Sequence, residues 1–329
     1  MAHAVETMAW VGDIPWHGLG IEVEPTLTPQ EMLVAAGLDW TVSARPIKTT
    51  TDIPIVSHRM LMRDSDDAQF GICGSNYVPF QNDKVFEFFK RFTDAGDMEM
   101  HTAGSLRNGQ HVWGLAKINK GFSLPGGDDV EGYLLLSQPH QWGKSLIIKF
   151  TPTRVVCNNT LTYALNQSST AQGQFRMPHI QEFDSSIIAK AEDALGLASN
   201  QMDKLHEDAT LLASKEFNDK KVDEYIARLF QPELLAPSQK EVNNNSNYAI
   251  DFQEFKANAS LVREAIWKQP GKDLPTKNTW WAAANAVTYV VDHKLGRERD
   301  AAMFNAWFGK NATLKRKAIE TAVEYAKAA

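Results

Sequence analysis

Cationic and aromatic side chains alternate in the middle of this chain of 329 residues, where acidic residues are almost absent. No aspartate or glutamate occurs in the fifty residues from Gly132 to Gln181, although 40 acidic residues in 329 would place about six there. The wider stretch from Met100 to Gln181 contains seven basic and three acidic residues, a formal charge of +4. The remainder must carry −10, because the whole chain carries −6.

This stretch has the side chains that sequence-tolerant binding of a single-stranded nucleic acid requires. Cations neutralise the phosphate backbone, and aromatic rings stack on the bases. In the strand expected at 144–151, alternation places Lys149 on the face opposite three apolar residues. Short polar side chains after that strand suit phosphate contacts, or simply a turn or a helix cap. The predicted nucleic-acid contacts are Arg107, Trp142, Lys144, Lys149, Arg154, Asn158 and Asn159.

Burial offers a second explanation of the missing acids. Central strands of a sheet are poor in charged residues when both of their faces are covered. This explains why acids are missing but not why basic residues remain. The acidic remainder of the chain could also pack against the basic surface. These alternatives stay open at the level of the sequence.

Catalytic and metal sites have less support. His17 lies beside two glycines, where a packed turn residue is the commoner role. His101 and His111 fall on adjacent predicted strands and could meet, but no neighbouring cysteine or carboxylate completes a metal site. His293 ends a predicted helix, where an imidazole interacts with the negative end of the dipole. Cys157 is flanked by valines and suits a buried apolar role.

Hydrophobic spacing predicts an α+β fold whose N-terminal half is mainly an antiparallel sheet with helices. Thr28 and Glu31 form a capping box ahead of the first helix, and Gly37 suits its C-terminal end. Phenylalanines at helical spacing predict a second helix over 82–92, with Asn82 as its cap. Alternation and turn residues predict strands at 40–47, 55–62, 98–106, 110–118, 130–137 and 144–150.

From about Asp184 onwards the apolar spacing predicts a helical C-terminal half. Helices are expected at 187–212, 222–230, 252–267, 279–292 and 312–326. Asn278 and Asn311 stand where the N-caps of the last two would be. The stretch near 232–250 contains two prolines and an asparagine-rich run, which is typical of a linker. The predicted domains are therefore an α+β domain, 1–182, and a helical region, 183–329.

Specific motifs occur in order along the chain. They are Pro15-Trp-His-Gly-Leu-Gly20, Ala36-Gly-Leu-Asp-Trp40, Tyr77-Val-Pro-Phe-Gln-Asn82, Ala103-Gly-Ser-Leu-Arg107, Thr151-Pro-Thr-Arg-Val-Val-Cys-Asn-Asn-Thr-Leu161, Asn285-Ala-Val-Thr-Tyr-Val-Val-Asp-His293 and Trp307-Phe-Gly309. In these motifs the chain resembles a phage- and plasmid-like family designated domain of unknown function 932. The resemblance implies a setting in mobile genetic elements. It implies no reaction, because the family has no settled catalytic residues to transfer.

The preferred hypothesis is a phage- or plasmid-encoded accessory protein that binds single-stranded DNA in replication or recombination, with strand annealing as one such role. No catalytic residue, metal or cofactor is expected, and a homo-oligomer is one expected assembly. The alternative is a protein-interaction or host-takeover factor with an acidic surface, and an unrecognised hydrolase comes third. Two cysteines and the lack of a signal-like or membrane-spanning run predict a cytoplasmic protein without membrane contact.

Overall fold

The computed structural model describes residues 5–12, 19–154, 159–160, 174–189, 198–230, 248–295 and 310–328. Its strands are β1 (Val5–Trp10), β2 (Ile21–Glu22), β3 (Val42–Lys48), β4 (Pro54–Arg63), β5 (Gln69–Gly74), β6 (Met98–Leu106), β7 (His111–Leu124), β8 (Asp128–Pro139), β9 (Ser145–Arg154), β10 (Asn159–Thr160) and β11 (Gln174–Pro178). Its helices are α1 (Pro29–Ala35), α2 (Asn82–Asp94), α3 (Ala198–Ser214), α4 (Asp219–Leu229), α5 (Tyr248–Lys268), α6 (Trp280–His293) and α7 (Lys310–Lys327). This order confirms the predicted α+β fold with a mainly helical C-terminal part.

The strands form two sheets of unequal size. The larger sheet has the order β10–β9–β8–β7–β6–β1–β2, and β11 also pairs with β9. The smaller sheet has the order β3–β4–β5 and is antiparallel throughout. In the larger sheet β6 pairs antiparallel with both β1 and β7, and β9 with both β10 and β11, whereas β1 and β2 are parallel. The meander predicted over 98–150 is thus present as the consecutive strands β6 to β9.

Strands β7 and β8 run further than predicted. Alternation weakens after Lys117, where lysine and glycine interrupt the pattern, yet strand structure continues to Leu124 and resumes at Asp128. Gly121 permits this because a Cβ there would lie 2.7 Å from the carbonyl oxygen of Val130 on the facing strand. The local sequence therefore marks a site of close backbone approach rather than the end of a strand.

Helix α2 covers one face of the larger sheet, which we call the inner face. Its buried phenylalanines, among them Phe86 and Phe89, belong to the same apolar cluster as Leu134 of β8 and Leu146 of β9. Gly114 of β7 allows the helix to come close, since a Cβ there would lie 3.0 Å from the Phe89 ring and 3.1 Å from the Phe86 ring. We call the opposite side of the sheet the outer face.

The predicted capping box is confirmed, but three other predicted caps are wrong. Thr28 and Glu31 bond reciprocally at the start of α1, with the Glu31 N–H donating to Thr28 Oγ1 at 3.3 Å. Gln81, not Asn82, precedes the first turn of α2. Thr279 holds the N-cap of α6, because Asn278 has a left-handed φ of 63°. Asn311 lies inside α7. Asn82 forms buried hydrogen bonds and Asn278 lies in a turn, so neither serves as a cap.

The chain divides into two compact units that interleave along the sequence. Unit 1 comprises residues 1–120, 132–151 and 166–199, and unit 2 comprises 121–131, 152–165 and 200–329. In unit 2, Trp280 is fully buried and stacks on Tyr325 at 4.9 Å, while the Tyr225 hydroxyl donates to the carbonyl oxygen of Ala318 at 3.0 Å. These aromatic contacts join α4, α6 and α7 into one core.

Two sequence predictions fall partly outside the described residues. Of the linker predicted near 232–250, residues 232–247 lie outside, and α5 begins at Tyr248. Of the helix predicted at 187–212, residues 190–197 lie outside, and α3 accounts for the remainder from Ala198. No helix within the described ranges combines the length and apolar character that crossing a membrane would need.

Candidate nucleic-acid interface

Three of the predicted contacts come together at one end of the larger sheet. Arg107 lies in the turn between β6 and β7, and Trp142 and Lys144 lie in the loop between β8 and β9. Because β6, β7, β8 and β9 are consecutive neighbours joined by short connections, both loops fall at the same end. We call Arg107, Trp142 and Lys144 the sheet-end site.

Hydrogen bonds tie the two loops of the sheet-end site together. The backbone N–H of His140 donates to the carbonyl oxygen of Gln110 at 2.8 Å. The side-chain amide of Gln141 donates to Gln110 Oε1 at 2.7 Å. The β8–β9 loop is thus held against the start of β7, next to the turn that carries Arg107.

The turn that carries Arg107 has an unusual backbone. All three residues at 107–109 have left-handed φ values, 54° at Arg107. This region costs an L-residue about 1–2 kcal/mol, and such strain concentrates at functional sites. A Cβ at Gly109 would lie 2.8 Å from a guanidinium nitrogen of Arg63. Arg63 is itself paired with Glu6 at 2.8 Å and Asp66 at 2.7 Å, so these two neighbouring carboxylates already have a cationic partner.

Trp142 presents an anchored but open aromatic ring. Its side chain is 57% exposed. One edge of the indole packs against His58 of β4, with ring centroids 5.8 Å apart and planes at 85°. The indole also lies over Gly74 of β5, where a Cβ would be 3.4 Å from the ring. These contacts fix the ring while leaving much of its surface free for a planar ligand such as a nucleobase.

The electrostatic fields of Arg107 and Lys144 overlap at His111. Its Nε2 lies 3.0 Å from the Ser137 hydroxyl. Burial above all, and then the positive charges of Arg107 and Lys144, lower the pKa of His111 to about 4. Both cations therefore act on the same imidazole, in agreement with the placement of their loops at one end of the sheet.

The other predicted contacts lie away from the sheet-end site. Lys149 is half-buried on the outer face of β9, five residues beyond Lys144, while Leu146, Ile148 and Phe150 are buried as alternation requires. Arg154 ends β9, where its backbone pairs with Asn159 of β10. The Arg154 and Asn159 side chains and the whole of Asn158 lie outside what the structure describes.

Burial explains much of the acid-free stretch. Every residue from Gly132 to His140 is buried, and so are 146–148 in β9. Carboxylates are excluded from such strands because an unpaired buried charge is costly. The exposed cations Arg107 and Lys144 are found instead in the loops at the end of these strands. The charge imbalance noted in the sequence thus locates a site at the sheet end rather than a groove along the central strands.

The histidines singled out in the sequence do not form a joint site in the described part of the chain. Strand register places His111 opposite Leu106, so it does not meet His101. The His101 ring instead packs edge-on against Tyr133 at 5.1 Å. His293 packs against a tyrosine of its own helix at 4.8 Å. His17 and Cys157 lie outside the described residues, within which no three histidine, cysteine, aspartate or glutamate side chains gather.

The sequence patterns did not single out His179, a buried histidine that directly follows β11. His179 follows β11 and is sandwiched between Tyr77 at 4.7 Å and Phe80 at 4.2 Å. Neither ring nitrogen of His179, nor the Tyr77 hydroxyl, has a hydrogen-bond partner among the described residues. Burial lowers the pKa of His179 to about 4, so the ring is neutral near pH 7.

A second buried imidazole, His140, lies in the β8–β9 loop two residues before Trp142. Asn82 donates its amide N–H to the Leu38 carbonyl oxygen at 3.0 Å, so its Oδ1 accepts from His140 Nε2 at 3.0 Å. The proton of His140 is therefore on Nε2, and Nδ1 holds a lone pair. Burial above all, and then the neighbouring His179 and His111, lower the pKa of His140 to about 3.

Both buried imidazoles follow a proline that ends a strand. Pro139 ends β8 and Pro178 ends β11. The two Pro-His pairs are visible in the sequence; His140 lies in the β8–β9 loop of the sheet-end site, whereas His179 packs against Tyr77 and Phe80. Their repetition is the signal that would have directed attention to them.

Comparison with known proteins gives a family but no activity. A family model described as domain of unknown function (DUF932) matches residues 69–319. No curated protein and no solved structure matches the chain. The matched region contains the sheet-end site and both Pro-His pairs. Because the match covers most of the chain, the protein belongs to the DUF932 family, a domain of unknown function.

Proposed function

We propose that the protein binds single-stranded nucleic acid at the sheet-end site. The observation that supports this is the convergence of two cations, Arg107 and Lys144, with the exposed ring of Trp142 on two joined loops. The cations suit the phosphate backbone, and base stacking on one aromatic ring contributes about 1–3 kcal/mol. No other property of the site is needed for sequence-tolerant binding.

A single strand suits this site better than a duplex. A base can stack on Trp142 only if its face is free, and bases in a duplex are already stacked on each other. The site lies on loops, and no helix projects from it that could read the edges of base pairs in a major groove. The proposal includes the setting that the family resemblance implies, an accessory role in replication or recombination encoded by a phage or plasmid.

Reversing both charges of the sheet-end site is expected to weaken binding at least about tenfold, because two phosphate contacts become repulsive. The probe is a labelled single-stranded DNA of about 16 nucleotides, the upper end of the site size of single-strand binding folds. Fluorescence anisotropy at about 50 mM salt, where such binding is strong, measures the affinity. The variant is Arg107→Glu with Lys144→Glu, and Trp142→Ala separately tests the stacking ring.

The matched control reverses two exposed lysines of α2, Lys84→Glu with Lys90→Glu, and thus makes the same change in net charge. Helix α2 covers the inner face of the sheet, whereas Arg107 and Lys144 lie in loops at its end, so this control is expected to bind like the wild type. A wild-type protein that does not bind the oligonucleotide at low salt contradicts the proposal and favours a protein-interaction role. Equal losses in both double variants show that only net charge matters and contradict the assigned site.

A further inference from the structure

Strand β11 places an additional cation beside β9. Arg176 is opposite Ile147, and Pro178 is opposite Ser145, the first residue of β9. Opposite residues in an antiparallel pair project from the same face, and residues two apart in a strand do so as well. Arg176 therefore shares the outer face with Ile147 and Lys149.

Among the described residues, Arg176 resembles Arg107 and differs from three other solvent-accessible arginines in having no carboxylate partner. Arg45 pairs with Asp64, Arg228 with Glu324, and Arg263 with Asp223. Arg176 is exposed and forms no ion pair or side-chain hydrogen bond with any described residue. Its described neighbours on the outer face of β9, Ile147 and Lys149, carry no negative charge.

We propose that Arg176 extends the sheet-end site along the outer face by binding a further phosphate of the same strand. This inference rests on the proposed function. Lys144 immediately precedes Ser145, and Ser145 lies opposite Pro178 of β11. Arg176 is two residues before Pro178, which is about 7 Å along the strand. Lys149 lies about 7 Å further along the same pair of strands. Lys144, Arg176 and Lys149 thus follow one another along a line that a phosphodiester backbone can trace.

The chemistry of arginine suits this role. A guanidinium offers five N–H donors in a planar arrangement that binds two oxygens of one phosphate, and its charge is independent of pH. The recognised ligand is therefore the sugar–phosphate backbone of a single strand, without preference for the base. Only a strand long enough to pass from Trp142 to β11 reaches Arg176, so its contribution depends on the length of the ligand.

The test compares two labelled single-stranded DNAs, one of about 4 and one of about 16 nucleotides, which bracket the site sizes of single-strand binding folds. Arg176→Ala is expected to weaken binding of the longer strand roughly threefold to tenfold and to leave the shorter strand unaffected. It also lowers the slope of log affinity against log salt by about 0.7 for the longer strand. Arg176→Lys is expected to retain most of the affinity. Arg45→Ala removes an arginine that is already paired with Asp64 and is expected to leave the affinity for both oligonucleotides unchanged.

The outcomes separate this inference from the proposed function. The Arg176→Ala variant could bind the longer DNA as tightly as the wild type, while the double variant Arg107→Glu with Lys144→Glu binds it less tightly. In that case the extension is wrong and the sheet-end site stands. If Arg176→Ala weakens both strands equally, Arg176 belongs to the first contact and the length-dependent extension is again wrong. If the wild type binds neither strand, both proposals fall together.

Discussion

Replacing Asp292 with alanine is expected to destabilise unit 2 by about 3–5 kcal/mol, because it leaves a buried ammonium without its carboxylate. Asp292 of α6 lies 2.7 Å from Lys315 Nζ of α7, with side-chain exposures of 9% and 0%. Burial lowers the pKa of Lys315, and the Asp292 charge opposes that shift. Hydrogen exchange in peptides from α6 and α7, or urea denaturation, measures the loss.

Two comparisons isolate the cause of that loss. Removing both charges with Asp292→Leu and Lys315→Met is expected to restore most of the stability, because well-packed apolar residues replace buried ion pairs at little cost. Glu264→Ala breaks an exposed ion pair with Lys268 at 2.9 Å and is expected to change stability little. Equal losses of stability in Asp292→Ala and Glu264→Ala would contradict this account, because they would show that Lys315 does not need a carboxylate partner.

Unit 1 is expected to lose stability as the pH falls below about 6.5, because it buries His111, His140 and His179 as neutral rings. The pKa of His140 is lowered from 6.5 to about 3, and that of His179 from 6.5 to about 4. The unfolded chain therefore takes up these protons first, so the stabilisation is complete above pH 6.5 and is lost progressively below it. With all three histidines contributing, the slope approaches about 4 kcal/mol per pH unit near pH 5.

Substituting one of these histidines tests the origin of the acid sensitivity. His179→Phe keeps a ring between Tyr77 and Phe80 but cannot take up a proton, so it is expected to reduce the slope by about a third. Hydrogen exchange of peptides within 132–139 of β8 and 145–151 of β9, corrected for the intrinsic effect of pH, reports on unit 1 alone. His206→Gln removes an exposed histidine of unit 2 and serves as the control. An unchanged slope in His179→Phe would contradict the role assigned to the buried ring.

Local sequence patterns were sufficient for most elements. Strand β6 has the predicted bounds, and α2 begins at the predicted residue, because alternation and helical spacing record which face of an element is buried. The common position of Arg107 and Lys144 also follows from the sequence, since consecutive hairpins place alternate loops at the same end of a sheet. The candidate site could therefore be located before its geometry was known.

Other features depend on contacts between distant parts of the chain. Strand β11 pairs with β9 across residues 159–173, and no local pattern specifies that register, so the position of Arg176 beside Ile147 could not be predicted. Asn82 resembled a cap because helix starts favour asparagine, but it bonds to His140, which is 58 residues away. In both instances the tertiary partner determines what the residue does.

In the proposed complex, Arg107 and Lys144 contact the phosphates of a single strand. The most direct test is the salt dependence of oligonucleotide affinity in the wild type and in Arg107→Ala with Lys144→Ala. Each lost contact reduces the magnitude of the slope of log affinity against log salt by about 0.7. The slope of the double variant is therefore expected to be smaller than that of the wild type by about 1.4. Parallel lines for the two proteins would contradict the claim, since they would show that neither cation releases counterions on binding.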